Sequence, residues 1–131
     1  PEGPLPVEGF GKNNLQNIAG AKWICQHMGV DQDDFYEAIT SFKGASKRLE
    51  KIVESNKAIV FKDYAHSPSK VSATTKAVKA QFSSKVVLAC LELHTYSSLN
   101  SEFLNEYNVA LNAAYEAVVF YYLTALEINQ L

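Results

Sequence analysis

The sequence predicts an α/β domain, a mostly parallel sheet with flanking helices, preceded by a helical hairpin and a β-hairpin. Three observations predict it. Short apolar runs at Ala58-Ile59-Val60-Phe61, Lys85 to Leu91 and Ala117 to Tyr122 are separated by segments with helical spacing. Strands that alternate with helices pair in parallel through right-handed crossovers, because a twisted strand feeding a right-handed helix packs back onto the sheet only that way. At 131 residues and 47% hydrophobic, the chain is long enough for one domain with a real core and short for two.

Residues 1–13 are rich in Pro and Gly and read as a linker from a preceding domain; the domain proper is expected over 14–131. Leu15, Ile18, Ala19, Lys22, Cys25 and Met28 mark a first helix, with Asn13 or Asn14 as N-cap and Gly29 as the stop. A second helix follows Asp31, carries Phe35, Ala38, Ile39 and Phe42, and ends near Gly44. Leu49 to Val53 alternates and Ala58 to Phe61 is continuously apolar, so the two form a β-hairpin about a Ser55-Asn56-Lys57 turn. Beyond it the pattern predicts a helix from Pro68 to about Phe82 and a buried strand from Lys85 to Leu91. A helix from about Ser101 to Ala114 and a strand from Ala117 to Tyr122 complete a Rossmann-like order. The chain begins without methionine and stops at Leu131 just after an apolar strand, as a fragment of something longer would.

A formal net charge of -2 with scattered lysines gives no basic field, so no nucleic-acid partner is expected. No segment reaches the roughly 20 apolar residues of a membrane span, and the first ten residues lack the basic and apolar regions of a signal peptide. Cys25 and Cys90 lie in separate apolar segments without CxxC spacing, which fits reduced, buried thiols. A cytoplasmic protein without membrane contact is the expectation.

Four polar stretches can carry chemistry. Lys62-Asp63-Tyr64-Ala65-His66-Ser67-Pro68 puts an acid and an imidazole at a strand-to-helix turn, where open α/β sheets bind ligands. Asp63 can accept ribose hydroxyls or reach a metal through water, or simply open the loop as an Asx turn. His66 can act as a base or orient a substrate, or be a polar loop residue, since both its forms are accessible near neutral pH. Ser67 and Pro68 suit the N-cap and first position of a helix.

Arg48 is the lone arginine among 12 cationic Lys and Arg residues. A guanidinium grips phosphate or carboxylate in a fixed, bidentate fork, while the alternative is a surface pair with Glu50. Gly11-Lys12-Asn13-Asn14-Leu15-Gln16-Asn17 places amides across a helix start, to cap it or to bond a nucleobase edge. Glu92-Leu93-His94-Thr95-Tyr96-Ser97 follows the strand ending near Leu91 and so returns to the sheet edge of the Asp63 run. No GxxxxGK[ST] loop, nucleophile elbow or i, i+4 metal-ligand pair accompanies them, and no protein-held metal is expected. Tyr107, Tyr115, Tyr121 and Tyr122 read as core and helix packing.

In order and spacing, these four segments resemble the C-terminal domain of the Mur ligases over nearly the whole chain, and look most like the branch acting on UDP-N-acetylmuramate. The resemblance implies a three-domain, ATP-dependent peptidoglycan-precursor ligase. An N-terminal domain would hold the UDP-sugar, a central domain the ATP P-loop and most of the Mg²⁺ coordination, and this domain would close over ATP and admit the amine. The muramoyl carboxylate would become an acyl phosphate, attacked by L-alanine or by the tripeptide L-alanyl-γ-D-glutamyl-meso-diaminopimelate. The same resemblance implies that Arg48 meets ATP phosphates, Asp63 the ribose side, and Asn14 with Asn17 the adenine region. It implies that His66, Ser67 and His94 face the amine substrate, with His66 matching the histidine of a DYAHxP segment.

Three positions depart from the family's usual pattern. Asn13 stands where histidine is common, Ser67 where the alanine ligases show a second histidine, and the His94 loop keeps HTY without the typical proline. The amine is left open by these departures. Alone the chain is expected to be inactive, lacking the P-loop and the UDP site. A free-standing α/β nucleotide-binding or interaction module is the alternative, and it would need no GKT or GKS loop upstream.

Overall fold

The computed structural model describes residues 4, 6, 7, 10–94, 98 and 101–121, with backbone alone for 101–103. Along the chain run α1 (Lys12–His27), α2 (Gln32–Thr40), β1 (Glu50–Glu54), β2 (Ile59–Lys62), α3 (Pro68–Gln81), β3 (Leu88–Leu93), α4 (Ser101–Ala110) and β4 (Glu116–Tyr121). They divide between two units, Pro1–Asp63 and Tyr64–Leu131.

In the first unit, α1 starts at Lys12 behind Gly11, whose φ of 87° is a left-handed conformation suited to glycine. Asn13 and Asn14 therefore lie inside the first turn and do not cap it. The helix stops as the sequence predicts, at Gly29 with φ 89°: Gly29 N–H donates to the Gln26 carbonyl and Val30 N–H to that of Cys25, a Schellman closure. Asp31 then caps α2 by accepting from Asp34 N–H at 2.9 Å. Lys22 ties the hairpin together, donating to Gln32 Oε1 at 2.8 Å and to Tyr36 Oη at 2.6 Å. The second helix ends at Thr40, short of Gly44, because Ser41 and Phe42 turn back in three-residue bonds to Ala38 and Ile39.

The β1–β2 hairpin is antiparallel, with a register shift between Lys51 and Val53. Its turn is closed by Ser55, whose N–H donates to the Ala58 carbonyl while its Oγ accepts from Ala58 N–H. The bulge breaks the alternation, and all five residues of β1 are exposed. Phe10 packs edge-on against Phe61 with ring centroids 5.4 Å apart, so residues near the start of the chain join this unit's packing.

The second unit is a βαβ crossover. Strand β3 pairs in parallel with β4, Leu88 opposite Glu116 through Leu93 opposite Tyr121. Alternate residues of β3, Ala89, Leu91 and Leu93, pack with Val71 of α3 and Tyr107 and Ala110 of α4, joined by Leu111 and Ala65. The opposite face is uncovered: Leu88, Cys90, Val118 and Phe120 are all exposed.

Several expectations are corrected here. Strand β3 begins three residues later than predicted and runs on through Leu93, since the β4 ladder and the inward alternation both continue to that residue. It is buried on one face only, and Cys90, on the other face, is exposed; both cysteines are free. Helix α4 ends at Ala110, where Leu111 and Asn112 turn into β4. The described strands form two separate two-stranded sheets, so β2 and β3 do not share an edge and the Asp63 and His94 loops are not joined through one sheet. Tyr122 lies outside the described residues. No helix among the described residues is long and apolar enough to cross a membrane.

The shifted β3 register is checked by truncating two leucines on opposite faces of one strand. Leu93→Ala, at a site 3% exposed, should cost about 2–5 kcal/mol in urea unfolding. Leu88→Ala, at a site 67% exposed, should cost less than about 0.5 kcal/mol.

Candidate functional site

Asn14 and Asn17 sit three residues apart on the first turns of α1 and so share a face. Both line a cavity of about 360 Å³ that Arg48 also lines. Ile18, Ile39, Phe42 and Leu49 supply apolar walls. The cavity belongs wholly to the first unit, and it joins three of the residues singled out from sequence. An apolar slot with amides at one place and a guanidinium at another suits a flat, polar-edged ring carrying an anionic substituent.

Asn14 is held in place. Its Nδ2 donates to the Phe10 carbonyl at 2.9 Å, which leaves Oδ1 as an acceptor. Arg48 lies in a turn between Lys47 at φ 57° and Leu49 at φ 48°, both in the left-handed region that non-glycine residues rarely adopt. What holds the turn is Glu50: its Oε2 accepts from Lys47 N–H at 2.7 Å and from Ser46 Oγ at 3.2 Å. The Lys47 N–H bond, first among the causes, keeps the Glu50 carboxyl below its usual range, with Ser46 and the charges of Lys62 and Lys47 adding to it. The Arg48–Glu50 surface pair is therefore replaced by a carboxylate that grips the turn's backbone. Among the described residues Arg48 forms no ion pair, so its guanidinium is unspent.

Asp63 is exposed, one residue past β2, and is not part of the cavity wall. His66, Ser67 and His94 belong to the second unit. The ring of His66 is half-buried, edge-on to Tyr64 at 5.3 Å between centroids, with Nδ1 3.0 Å from the Tyr64 carbonyl oxygen. A carbonyl only accepts, so Nδ1 carries a proton in this bond, and in the neutral ring the lone pair lies at Nε2. Ser67 occupies the N-cap of α3 with Pro68 behind it, but its hydroxyl makes no capping bond. His94 is exposed, the first residue past β3; Thr95, Tyr96 and Ser97 lie outside the described residues.

Two contributors escaped the sequence reading. Sequence alone presents Glu50 as an ion-pair partner of Arg48, and no sequence pattern marks a carboxylate that bonds the backbone N–H three residues upstream. Tyr107 reads correctly as core, at 5% exposed, yet its hydroxyl also donates to the His66 carbonyl at 2.6 Å. A buried tyrosine needs a partner for its hydroxyl, which is the available signal.

No protein-family model matches the chain. Among curated proteins, it is 36% identical over 115 residues to the UDP-N-acetylmuramate–L-alanine ligase of Caldicellulosiruptor bescii, which covers 88% of this chain and 24% of the relative. It is 33% identical over 104 residues to the bifunctional enzyme MurC/Ddl of Chlamydia caviae, covering 77% of this chain and 13% of that one. Among solved structures, the UDP-N-acetylmuramate–alanine ligase MurC of Thermotoga maritima matches 95% of this chain and 27% of its own, with a TM-score of 0.77 at 20% identity. A murein peptide ligase of Psychrobacter arcticus matches with a TM-score of 0.51 at 19% identity, over 86% of this chain and 29% of its own. The chain thus spans about a quarter of the length of most of these relatives. By sequence and by its α/β fold, the chain belongs to the Mur ligase family, as a C-terminal domain of the UDP-N-acetylmuramate ligase branch.

Proposed function

We propose that the chain is the C-terminal, substrate-admitting part of a cytoplasmic, ATP-dependent ligase that joins an amine to the carboxylate of UDP-N-acetylmuramate. The observation that carries this reading is the meeting of Asn14, Asn17 and Arg48 on one cavity in a chain of this family. When bound, ATP supplies the phosphoryl group that makes the muramoyl carboxylate an acyl phosphate, which the amine attacks with loss of phosphate.

The chain's own residues divide the remaining work. Arg48 holds the nucleotide phosphates through its fork. Asn14 Oδ1 accepts from the adenine amino group and Asn17 bonds its ring edge. The apolar walls exclude water from the ring faces, and Asp63 takes the ribose hydroxyls. Mg²⁺ is held mainly by the central domain in this reading, as the family resemblance implies. His66 receives the amine, through Nε2 either removing its proton or orienting it, with Ser67 and His94 beside the acceptor. Without a P-loop lysine and a UDP-sugar site the chain alone is inactive, and the gene must carry a GKT or GKS loop upstream.

Two acceptors have an observation each. L-alanine is favoured by the curated relatives, which are named L-alanine ligases. The tripeptide L-alanyl-γ-D-glutamyl-meso-diaminopimelate is the second acceptor, because Ser67 in place of a second histidine and the His94 loop without its typical proline depart from the alanine ligases and leave the amine open. Assaying phosphate release by the full-length enzyme with each acceptor decides: a kcat/KM at least about tenfold higher for one assigns it, and activity with neither rejects the ligase reading.

Arg48→Lys keeps the charge and loses the fork, and should raise the KM for ATP by about tenfold or more in the full-length enzyme; an unchanged KM removes Arg48 from the phosphates. The turn beneath it should weaken in acid. The carboxyl of Glu50 is lowered in the fold, so its contribution is complete above the unfolded value near 4.5 and is lost as pH falls through the lower folded one. The Lys47 amide resonance followed against pH should titrate with a midpoint below 4.5. A midpoint at or above that value contradicts the bond.

A further inference from the structure

The His66 loop lies between the last residue of the first unit and the start of α3, and it carries the imidazole on which the amine-side reading rests. Three restraints act on it, all within the second unit. Ala65 packs against the core, which anchors the residue before. Pro68 enters α3 at its first position, and Val71 N–H donates to the Ser67 carbonyl at 2.9 Å, which anchors the residues after. The His66 peptide between these anchors is held by one long-range bond, Tyr107 Oη to the His66 carbonyl at 2.6 Å, spanning 41 residues.

We infer that Tyr107 is the positioning residue of this site: its hydroxyl locks the His66 carbonyl, and through it the imidazole whose Nε2 faces the amine. The bond is short and its donor is fixed, because a carbonyl oxygen can only accept. Its ring cannot drift, being part of the buried cluster with Leu91, Leu93 and Val71. Burial, and then the neighbouring Glu106 charge, push the Tyr107 hydroxyl above its usual pKa of 10.0, so it stays a donor across the neutral range.

The second lock is local. With its carbonyl held by Tyr107, His66 points Nδ1–H at the Tyr64 carbonyl, so one bond sets the backbone and the other the ring. A ring held at both levels loses little freedom when the amine arrives, and placement errors near 1 Å can cost about a hundredfold in rate. Through α4 the bond also links the amine side of the site to the crossover that builds the β3–β4 pair.

The inference rests on the reading of His66 as an amine-site residue, and the experiment separates the two. In the full-length ligase, Tyr107→Phe keeps the ring and removes only the donor. It should lower kcat/KM for the amine acceptor by about three- to tenfold, the range one hydrogen bond accounts for, and leave the KM for ATP unchanged. In the His66→Ala background, Tyr107→Phe should add no further loss, as expected of two residues acting as one. If His66→Ala lowers kcat/KM while Tyr107→Phe does not, positioning by Tyr107 is overturned and the reading of His66 stands. If Tyr107→Phe affects amine and ATP parameters alike, or adds its full loss to His66→Ala, its role is structural and the inference is likewise overturned. If His66→Ala is itself without effect, both fall.

Discussion

The second unit depends on the burial of one stripe of alternate residues along β3. Ala89, Leu91 and Leu93 point the same way because a strand repeats every two residues, and only there do α3 and α4 pack against it. That stripe sets where the strand ends, and so places His94 at its tip. It seats α3, whose first turn carries Ser67 and Pro68, and it holds the Tyr107 ring at the depth from which its hydroxyl reaches His66. Sliding β3 by one residue would turn Leu88 and Cys90 inward and carry all three positions away together.

The first unit works differently, with Phe35 the lone buried apolar residue described there. Its order comes from directional bonds at element ends: the closure at Gly29, the Asp31 cap, the Lys22 bridge and the Glu50 clamp. The Glu50 clamp holds the turn that carries Arg48, and the hairpin bonds join α1 to α2, whose residues line the Asn14 and Arg48 cavity. The nucleotide side of the proposed site therefore stands on hydrogen-bond geometry, and the amine side on packing.

How much of this was legible in the sequence follows the same division. Most features with a local cause were read correctly, the stop at Gly29, the start of α2 at Asp31, the turn at Ser55 and the entry of α3 at Pro68, whereas the cap of α1 at Gly11 and the early end of α2 at Thr40 were not. Features decided by a distant partner were not. Val86, Val87 and Leu88 look like the start of a strand and Glu92 like its end, yet pairing with β4 starts the ladder at Leu88, and Glu92 simply faces outward. The shared sheet edge failed for the same reason, because periodicity identifies strands without saying which sheet they join. In the site, Asn14, Asn17 and Arg48 were found as members of motifs and then proved to line one cavity. Glu50 and Tyr107 stayed hidden because each acts on another residue's backbone, and backbone groups carry no sequence label.

The uncovered face of the β3–β4 pair has a practical side. Leu88, Cys90, Val118 and Phe120 form an apolar strip carrying an exposed thiol, flanked on the same face by Glu92 and Glu116, and β4 is rich in β-branched and aromatic residues. Such a strip in water favours sheet-to-sheet adhesion between molecules, and a thiol at its centre can make a chance encounter covalent under oxidising conditions. Colloidal behaviour of the separated domain therefore depends on this exposed side of the sheet, and reducing, dilute conditions are the ones that favour its monomer.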